Sequence, residues 1–297
     1  MRHAATSLNT MSLEEAMEVV NLFKPLAFFN LTKNIAAYNQ QRLAPGNTLD
    51  PHPQEIIYVE TIRQSIVHCA SPCPIPEAPT LAWFEGLKNH GPGQGDPLFP
   101  WLADHADEKA MAWFISQEVA GEAGFDDLVA MTQVKMPTRA KLELARNYWD
   151  EMGNGVEKKM HGKLLDEVVA YYKIKPTLET TVPEALVLSN LMTAFAVHRR
   201  YAWLSLGALG VIEMTAPGRV GQVEKGLARL GVSKKDRQYF GLHATLDIAH
   251  SREWNKEIIQ PLSKEPETMR QIAEGAYLRL WAGAQCYARY RGELGVG

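Results

Sequence analysis

The stretch Tyr239-Phe-Gly-Leu-His-Ala-Thr-Leu-Asp-Ile-Ala-His-Ser-Arg-Glu-Trp254 contains three residues of metal-binding type at helical spacing. His243, Asp247 and His250 stand at positions i, i+4 and i+7, so an α-helix would align them on one face over two turns. Two imidazoles and a carboxylate on one face can form half of a transition-metal site. A solvated polar face is the simpler alternative, but the apolar residues between and beside them argue against it. The stretch therefore predicts a helix that carries metal ligands.

The composition is that of a globular protein with one sizeable core. The chain has 297 residues, of which 46% are hydrophobic and 22% charged, with a net charge of −3. This balance and the lack of long blocks of like charge disfavour nucleic acid as a partner. The longest apolar run, Tyr201 to Met214, is short for a membrane span and contains Glu213. With no apolar signal core near Met1, we expect a cytoplasmic protein without a membrane partner.

The cysteines do not predict a disulfide framework. Cys69, Cys73 and Cys286 are too few for one, and their number fits a reduced compartment. Cys69 and Cys73 form a C-x3-C pair, which would need two further ligands to hold zinc. We interpret them as two incidental thiols in a loop.

Helical periodicity with proline and glycine breaks predicts an all-α chain. The glycine- and proline-rich stretch from His90 to Pro97 is the best candidate boundary. We nevertheless predict a single domain over residues 1–297, with auxiliary helices in 1–105 and the metal-binding core in 106–297. The predicted helices cover residues 12–23, 26–43, 54–68, 83–87, 107–133, 138–172 with a weakened point at Gly153–Gly155, 183–214, 220–230, a segment capped by Ser233 that includes the opening stretch, and 267–291.

Further ligand candidates lie upstream of the opening stretch. Glu151 and His161 are ten residues apart, close to three turns of an undistorted helix, although two surface residues would give the same pattern. Glu213 stands among apolar residues, where a carboxylate is costly without a compensating cation. A helix-end glutamate that meets solvent is the alternative for Glu213. Glu118 and Glu122 form an i, i+4 pair, and the spacing does not distinguish which of them faces the interior.

Assembled, these residues resemble the heme-oxygenase-like dimetal oxidases and oxygenases, often described as iron-containing redox enzymes. The resemblance spans roughly Met111 to Trp254 and is carried by three motifs. The motifs are Asn147-Tyr-Trp-Asp-Glu-Met-Gly-Asn-Gly155 followed by His161, Gly207-Ala-Leu-Gly-Val-Ile-Glu213, and the opening stretch from Tyr239 to His250.

The resemblance implies a helical bundle with three ligand-bearing core helices and additional N-terminal helices. It further implies a di-iron enzyme with two Fe(II) ions and O2 as co-substrate. The ligands that it implies are Glu151, His161, Glu213, His243, Asp247 and His250. Some members add a carboxylate from a preceding helix, a position that Glu118 or Glu122 would match. Others carry a ligand three residues before the first motif's histidine, where this chain has Lys158.

Members of the resembling family desaturate or cleave amino acids, form small rings from them, oxygenate amine nitrogens or decarboxylate fatty acids. The small residues around the predicted site favour a free amino acid, in specialised metabolism, over a long acyl chain. Arg200 and Arg252 are candidates for binding a substrate carboxylate, with ordinary surface cations as the alternative. A non-catalytic iron-binding or scaffolding helical protein is the competing class, and a homodimer is an open alternative to a monomer.

Overall fold

The computed structural model describes residues 25–67, 74–121 and 124–297. This part of the chain is helical and contains no strand, which confirms the all-α prediction. None of its helices is long and apolar enough to cross a membrane. The predicted helix over 12–23 and the two thiols Cys69 and Cys73 lie outside the described residues.

The chain divides into two compact units, Met1–Cys69 and Ala70–Gly297. In the smaller unit, helix α1 spans Pro25–Arg42 and α2 spans Glu55–Val67. A buried ion pair of 3.0 Å between Arg42 and Glu55 joins the two helices. All candidate site residues within the described part belong to the larger unit. The single-domain assignment of the whole chain stays a prediction.

The larger unit is a bundle of helices joined by short connections. Its helices are α3 Leu81–His90, α4 Leu98–Asp104, α5 Glu108–Gly121, α6 Phe125–Thr132, α7 Thr138–Glu151, α8 His161–Tyr172, α9 Pro183–Val197, α10 Ala202–Arg229, α11 Gln238–Trp254 and α12 Pro266–Leu294, with a π-helical segment at Asn255–Ile259 and a short turn at Gln260–Leu262 after α11.

Helix α10 forms the centre of this bundle and packs against α4, α11 and α12. It approaches α12 so closely that a side chain at Gly207 would overlap the carbonyl oxygen of Ile272. The approach is reciprocal, because a side chain at Gly275 would overlap the carbonyl oxygen of Leu204. Glycine on both helices thus lets two backbones meet, and the contact fixes α10, which carries Glu213, against α12.

Three helix boundaries differ from the prediction because single residues were misjudged. The expected helix over 107–133 is two helices, α5 and α6, and Gly124 before α6 has φ of 68°, which a continuing helix excludes. The expected helix over 183–214 ends at Val197, where His198 takes an extended conformation. Helix α10 then continues through Pro217, where the prediction had placed a break. A proline in a helix removes one backbone bond and here does not end the helix.

Two further boundaries bear on the site. The expected helix from Thr138 to Tyr172 is interrupted at Gly153–Gly155, where Asn154 has φ of 54°. Glu151 therefore ends α7 and His161 begins α8, so four helices rather than three carry the candidate ligands. Ser233 does not cap α11: its hydroxyl bonds Asp236 in the preceding turn, and α11 begins at Gln238.

Candidate functional site

Glu151 and His161 meet although the helix between them is broken. The reversal at Gly153–Gly155 brings Oε2 of Glu151 to 2.7 Å from Nδ1 of His161. Both side chains are buried, yet within the described part of the chain His161 Nδ1 has no hydrogen-bond partner. Two ligand atoms that converge in this way without bonding each other are typical of residues arranged around a cation.

His243 joins this pair from α11. Its ring centroid lies 4.6 Å from that of His161, and the two rings are nearly perpendicular. Its Nδ1 is 2.8 Å from the backbone oxygen of Tyr239, so Nδ1–H donates there and Nε2 keeps a free lone pair. Ligand atoms of Glu151, His161 and His243 lie within 4.8 Å of one another.

A second group forms around His250 and Glu213. His250 Nδ1 is 3.3 Å from Oε2 of Glu213, and ligand atoms of Glu151, Glu213 and His250 also lie within 4.8 Å of one another. Asn147 donates from Nδ2 to Oε1 of Glu213 over 2.6 Å. On the far side of the ring, His250 Nε2 is 3.2 Å from Asp150. Glu151 therefore belongs to both groups.

Asp247 is buried beside these groups and belongs to neither of them. It lies one turn before His250 on α11, with Oδ1 3.9 Å from Nδ1 of that histidine. It also lines the same cavity as Glu151, Glu213 and His243. All six residues implied as ligands by the resemblance are thus brought to one place, five of them in the two tight groups.

The protonation of the cluster follows from burial and neighbouring charges. Burial, and then the charge of His250, lowers the pKa of His161 to about 4. Burial and His161 likewise lower the pKa of His243 to about 4, so both imidazoles are neutral at neutral pH. Burial, then Glu213, raises the pKa of Glu151 well above its usual range. Burial also lowers the pKa of His250, but Glu213 and Asp150 outweigh it and raise the pKa to about 9.

These residues fit a pair of first-row transition-metal ions. Neutral imidazoles and carboxylates are the donors that such ions prefer, and a carboxylate shared by two groups can bridge two ions. The outer contacts also fit. The backbone oxygen of Tyr239 and the carboxylate of Asp150 contact the ring nitrogens of His243 and His250, respectively, that face away from the cluster.

A cavity of about 80 Å³ adjoins the cluster. Aromatic residues such as Phe114, Phe125 and Phe240 line it, together with Glu118, Arg219 and Arg279. The two arginines proposed from the sequence lie elsewhere. Arg200 is exposed and lies over the ring of Tyr201, Arg252 is exposed on α11, and neither lines this cavity.

Glu118 lines the cavity but is in neither metal-type group, and Glu122 lies outside the described residues. The sequence did bear a signal for two residues that we had not singled out. Asn147 and Asp150 precede Glu151 at positions i−4 and i−1, so Asn147 shares its helix face. Arg219 and Arg279 carried no comparable signal, because neither lies in one of the three motifs.

Comparison with known proteins agrees with this geometry. Residues 112–284, more than half of the chain, match the family described as iron-containing redox enzyme. The chain belongs to this family. This match confirms the family resemblance and the heme-oxygenase-like, all-α fold expected from it. The family is one of iron-containing oxidoreductases.

Among solved structures, a CADD-like protein of unknown function from Nostoc punctiforme is similar to this chain. It has 16% sequence identity and a TM-score of 0.49, over 82% of this chain and 99% of that chain. The comparison with curated proteins gave no match.

Proposed function

We propose that the chain is a non-heme di-iron, O2-dependent oxidase or oxygenase that acts on a small amino-acid-like substrate. The observation that carries the proposal is the position of Glu151, which belongs to both buried groups. One group adds His161 and His243, and the other adds Glu213 and His250. A bridging carboxylate with separate ligands on either side is the arrangement expected for two ions rather than one.

Each protein group has a defined task in this proposal. The two irons would supply O2 activation and oxidation of the substrate, and the residues described here would set their geometry. Asp150 and the carbonyl of Tyr239 orient His250 and His243, while Asn147 holds one oxygen of Glu213. Asp247, whose Oδ1 lies 3.9 Å from Nδ1 of His250, would complete the coordination of the second group.

The cavity supports a compact substrate. On this measure a single water needs about 10–15 Å³, so a cavity of about 80 Å³ accommodates a ligand of only a few heavy atoms. Its aromatic lining excludes bulk water and restricts how the substrate can lie. We therefore favour a small amino acid, with desaturation, C–C cleavage or ring formation as the outcome, over a long acyl chain.

The test is anaerobic loading of the metal-free protein with Fe(II), removal of loose iron and exposure to O2. We expect about two irons per chain, a change in visible absorbance on O2 addition, and an O2 uptake that one or more L-amino acids alter. His243→Ala and His250→Ala should each lose about one of the two irons while the helical circular dichroism signal is kept. His105→Ala serves as the matched control, because His105 is exposed and outside the cluster.

Other outcomes decide against the proposal. Failure of the wild type to retain iron would contradict the metal centre altogether. Retention of iron without any effect of amino acids on O2 uptake would instead support a non-catalytic iron-binding protein.

A further inference from the structure

We propose that Arg279 and Arg219 form a subsite that binds the carboxylate of the substrate, in the cavity that the metal-type residues also line. This inference rests on the proposed function and adds which chemical group is recognised and by which residues. Its observations are the position of the two arginines in the cavity lining, the unbonded nitrogen of Arg279 and the contacts of Arg219 and Glu118.

The cavity runs along α10 and α11, which lie antiparallel. Glu213 faces His250, and further along α10 a Cβ built on Gly221 would lie 3.8 Å from Cβ of Ala244. Further still, Glu224 forms an ion pair with Arg237. Arg219 follows Glu213 by six residues on α10, which places it about 9 Å further along the helix axis. Arg219 thus lies further along the cavity than Glu213, at about the level of His243, which precedes Ala244 on α11.

Arg279 reaches the cavity from α12 with hydrogen-bonding capacity to spare. Its Nε is buried and has no hydrogen-bond partner within the described residues. The absence of a side chain at Gly283 makes room for its guanidinium, since a Cβ there would come within 2.9 Å of Nη1. A buried guanidinium nitrogen without an acceptor is uncommon, and a carboxylate is the partner that its planar fork fits best.

Part of the Arg219 guanidinium is available to an anion. Arg219 lies over the ring of Tyr287 and gives one hydrogen bond to the backbone oxygen of Thr215, which is uncharged. Glu118 is a lining carboxylate whose charge interacts with both Arg279 and Arg219, and it is hydrogen-bonded to Tyr290. An incoming carboxylate would compete with Glu118 for the two guanidinium groups.

Carboxylate binding here would orient the substrate. With its carboxylate on Arg279 and Arg219, the remainder of an amino acid would extend along the cavity towards Glu213. The carbon to be oxidised then lies several bonds from the carboxylate. A substrate that lacks the carboxylate loses this orientation.

The test uses metal-free protein, so that it reads binding independently of iron. Thermal shift and calorimetry are measured with the twenty common L-amino acids, with straight-chain carboxylates from acetate to hexanoate, and with the primary amines that match the amino acids but lack a carboxylate. We expect at least one carboxylate to bind and its matched amine not to bind. Arg279→Gln should weaken that binding by about a hundredfold, and Arg279→Lys, which keeps the charge but not the fork, by about tenfold.

Two further variants separate carboxylate recognition from a structural effect. Arg270→Gln, an exposed arginine on the same helix, should leave binding unchanged. Glu118→Gln removes a competing negative charge and should tighten the binding of a simple carboxylate such as pentanoate. A general loss of packing would weaken binding in both Arg279→Gln and Glu118→Gln, so opposite signs are the decisive result.

The subsite and the proposed function can fail separately. If no carboxylate binds the wild type, or if Arg279→Gln binds as well as the wild type, the subsite is wrong whatever the iron content. If the wild type binds a carboxylate through Arg279 but retains no iron, the subsite stands and the di-iron function fails. Iron content of Arg279→Gln is measured alongside and is expected to equal that of the wild type.

Discussion

At the scale of single residues, the three histidines of the cluster differ in charge, and the difference sets how metal binding depends on pH. His161 and His243 have pKa values of about 4 and are neutral at neutral pH. His250 has a pKa of about 9, because Glu213 and Asp150 outweigh the effect of burial. At neutral pH it therefore holds a proton that a metal must displace.

We expect the affinity for Fe(II) to rise as the pH is raised from neutral to about 9, and to level off above that value. Below a pH of about 9 the ion bound by His250 competes with the proton on that residue, and the raised pKa of Glu151 acts in the same direction. Anaerobic competition with a chromophoric chelator at several pH values measures this slope. An affinity that is constant over the same range would contradict the proton-displacement account.

Replacement of Asp150 tests the outer contact of His250. Asp150→Ala should lower the pKa of His250 below about 9, since that carboxylate is one of the groups that raise it. It should also weaken the iron held by His250 by about 10- to 100-fold, as is usual when the partner of a metal-binding histidine is removed. Histidine NMR titration and iron competition report the two effects. Asp166→Ala, which removes an exposed carboxylate paired with Lys163, should change neither quantity.

At the scale of helices, α10 contains one glycine that its close packing against α12 requires and another that no neighbour requires. Gly207 faces the backbone of Ile272, whereas Gly218 has no atom within 4 Å of a built Cβ. Gly207→Ala should destabilise the protein by about 1–3 kcal/mol or more through overpacking. Gly218→Ala should stabilise it by about 0.5–1 kcal/mol, because alanine favours the helix. Denaturant unfolding of both variants checks the opposite signs, and equal effects would contradict the packing described here.

Helix type was predictable from the sequence, and helix ends were predictable only where one residue dictates them. The last helix was expected over 267–291 and spans Pro266–Leu294, because its apolar pattern continues through the interior glycines Gly275 and Gly283 and no proline follows its first residue. Pro217 was expected to end a helix and does not, since the packing of α10 against its neighbours outweighs one missing backbone bond. His198 ends a helix without any local signal. At Pro217 tertiary packing decided the outcome, and a single sequence does not record it.

At the scale of the whole molecule, the sequence predicted which residues would meet but not how they would be divided. Helical spacing singled out His243, Asp247 and His250, and the family resemblance added Glu151, His161 and Glu213. Their division into two groups that share Glu151 depends on the reversal after α7 and on the packing of α10 against α11. Arg279 could not be anticipated, because only the fold brings α12 to the same cavity.

This division predicts how many irons each variant retains. Glu151→Gln removes the carboxylate common to both groups and should lose both irons. His161→Ala affects only the group with His243, and His250→Ala only the group with Glu213, so each should retain about one iron. Elemental analysis after anaerobic loading and desalting gives the counts, and circular dichroism verifies that each variant is folded.

Thermal unfolding of the same variants also distinguishes one iron site from two. A ligand present at about a hundred times its dissociation constant stabilises the native state by about 2.7 kcal/mol, so iron loading should raise the melting temperature of the wild type. The single-histidine variants should keep part of this rise, and Glu151→Gln should keep none. Two groups that share only Glu151 should each bind an ion when the other group is disabled. If His161→Ala and His250→Ala each lost all iron, the cluster would instead be a single cooperative site. If Glu151→Gln retained both irons, Glu151 would bridge nothing, and each group would have to draw its carboxylate from elsewhere, with Asp247 as the nearest candidate for the group of His250.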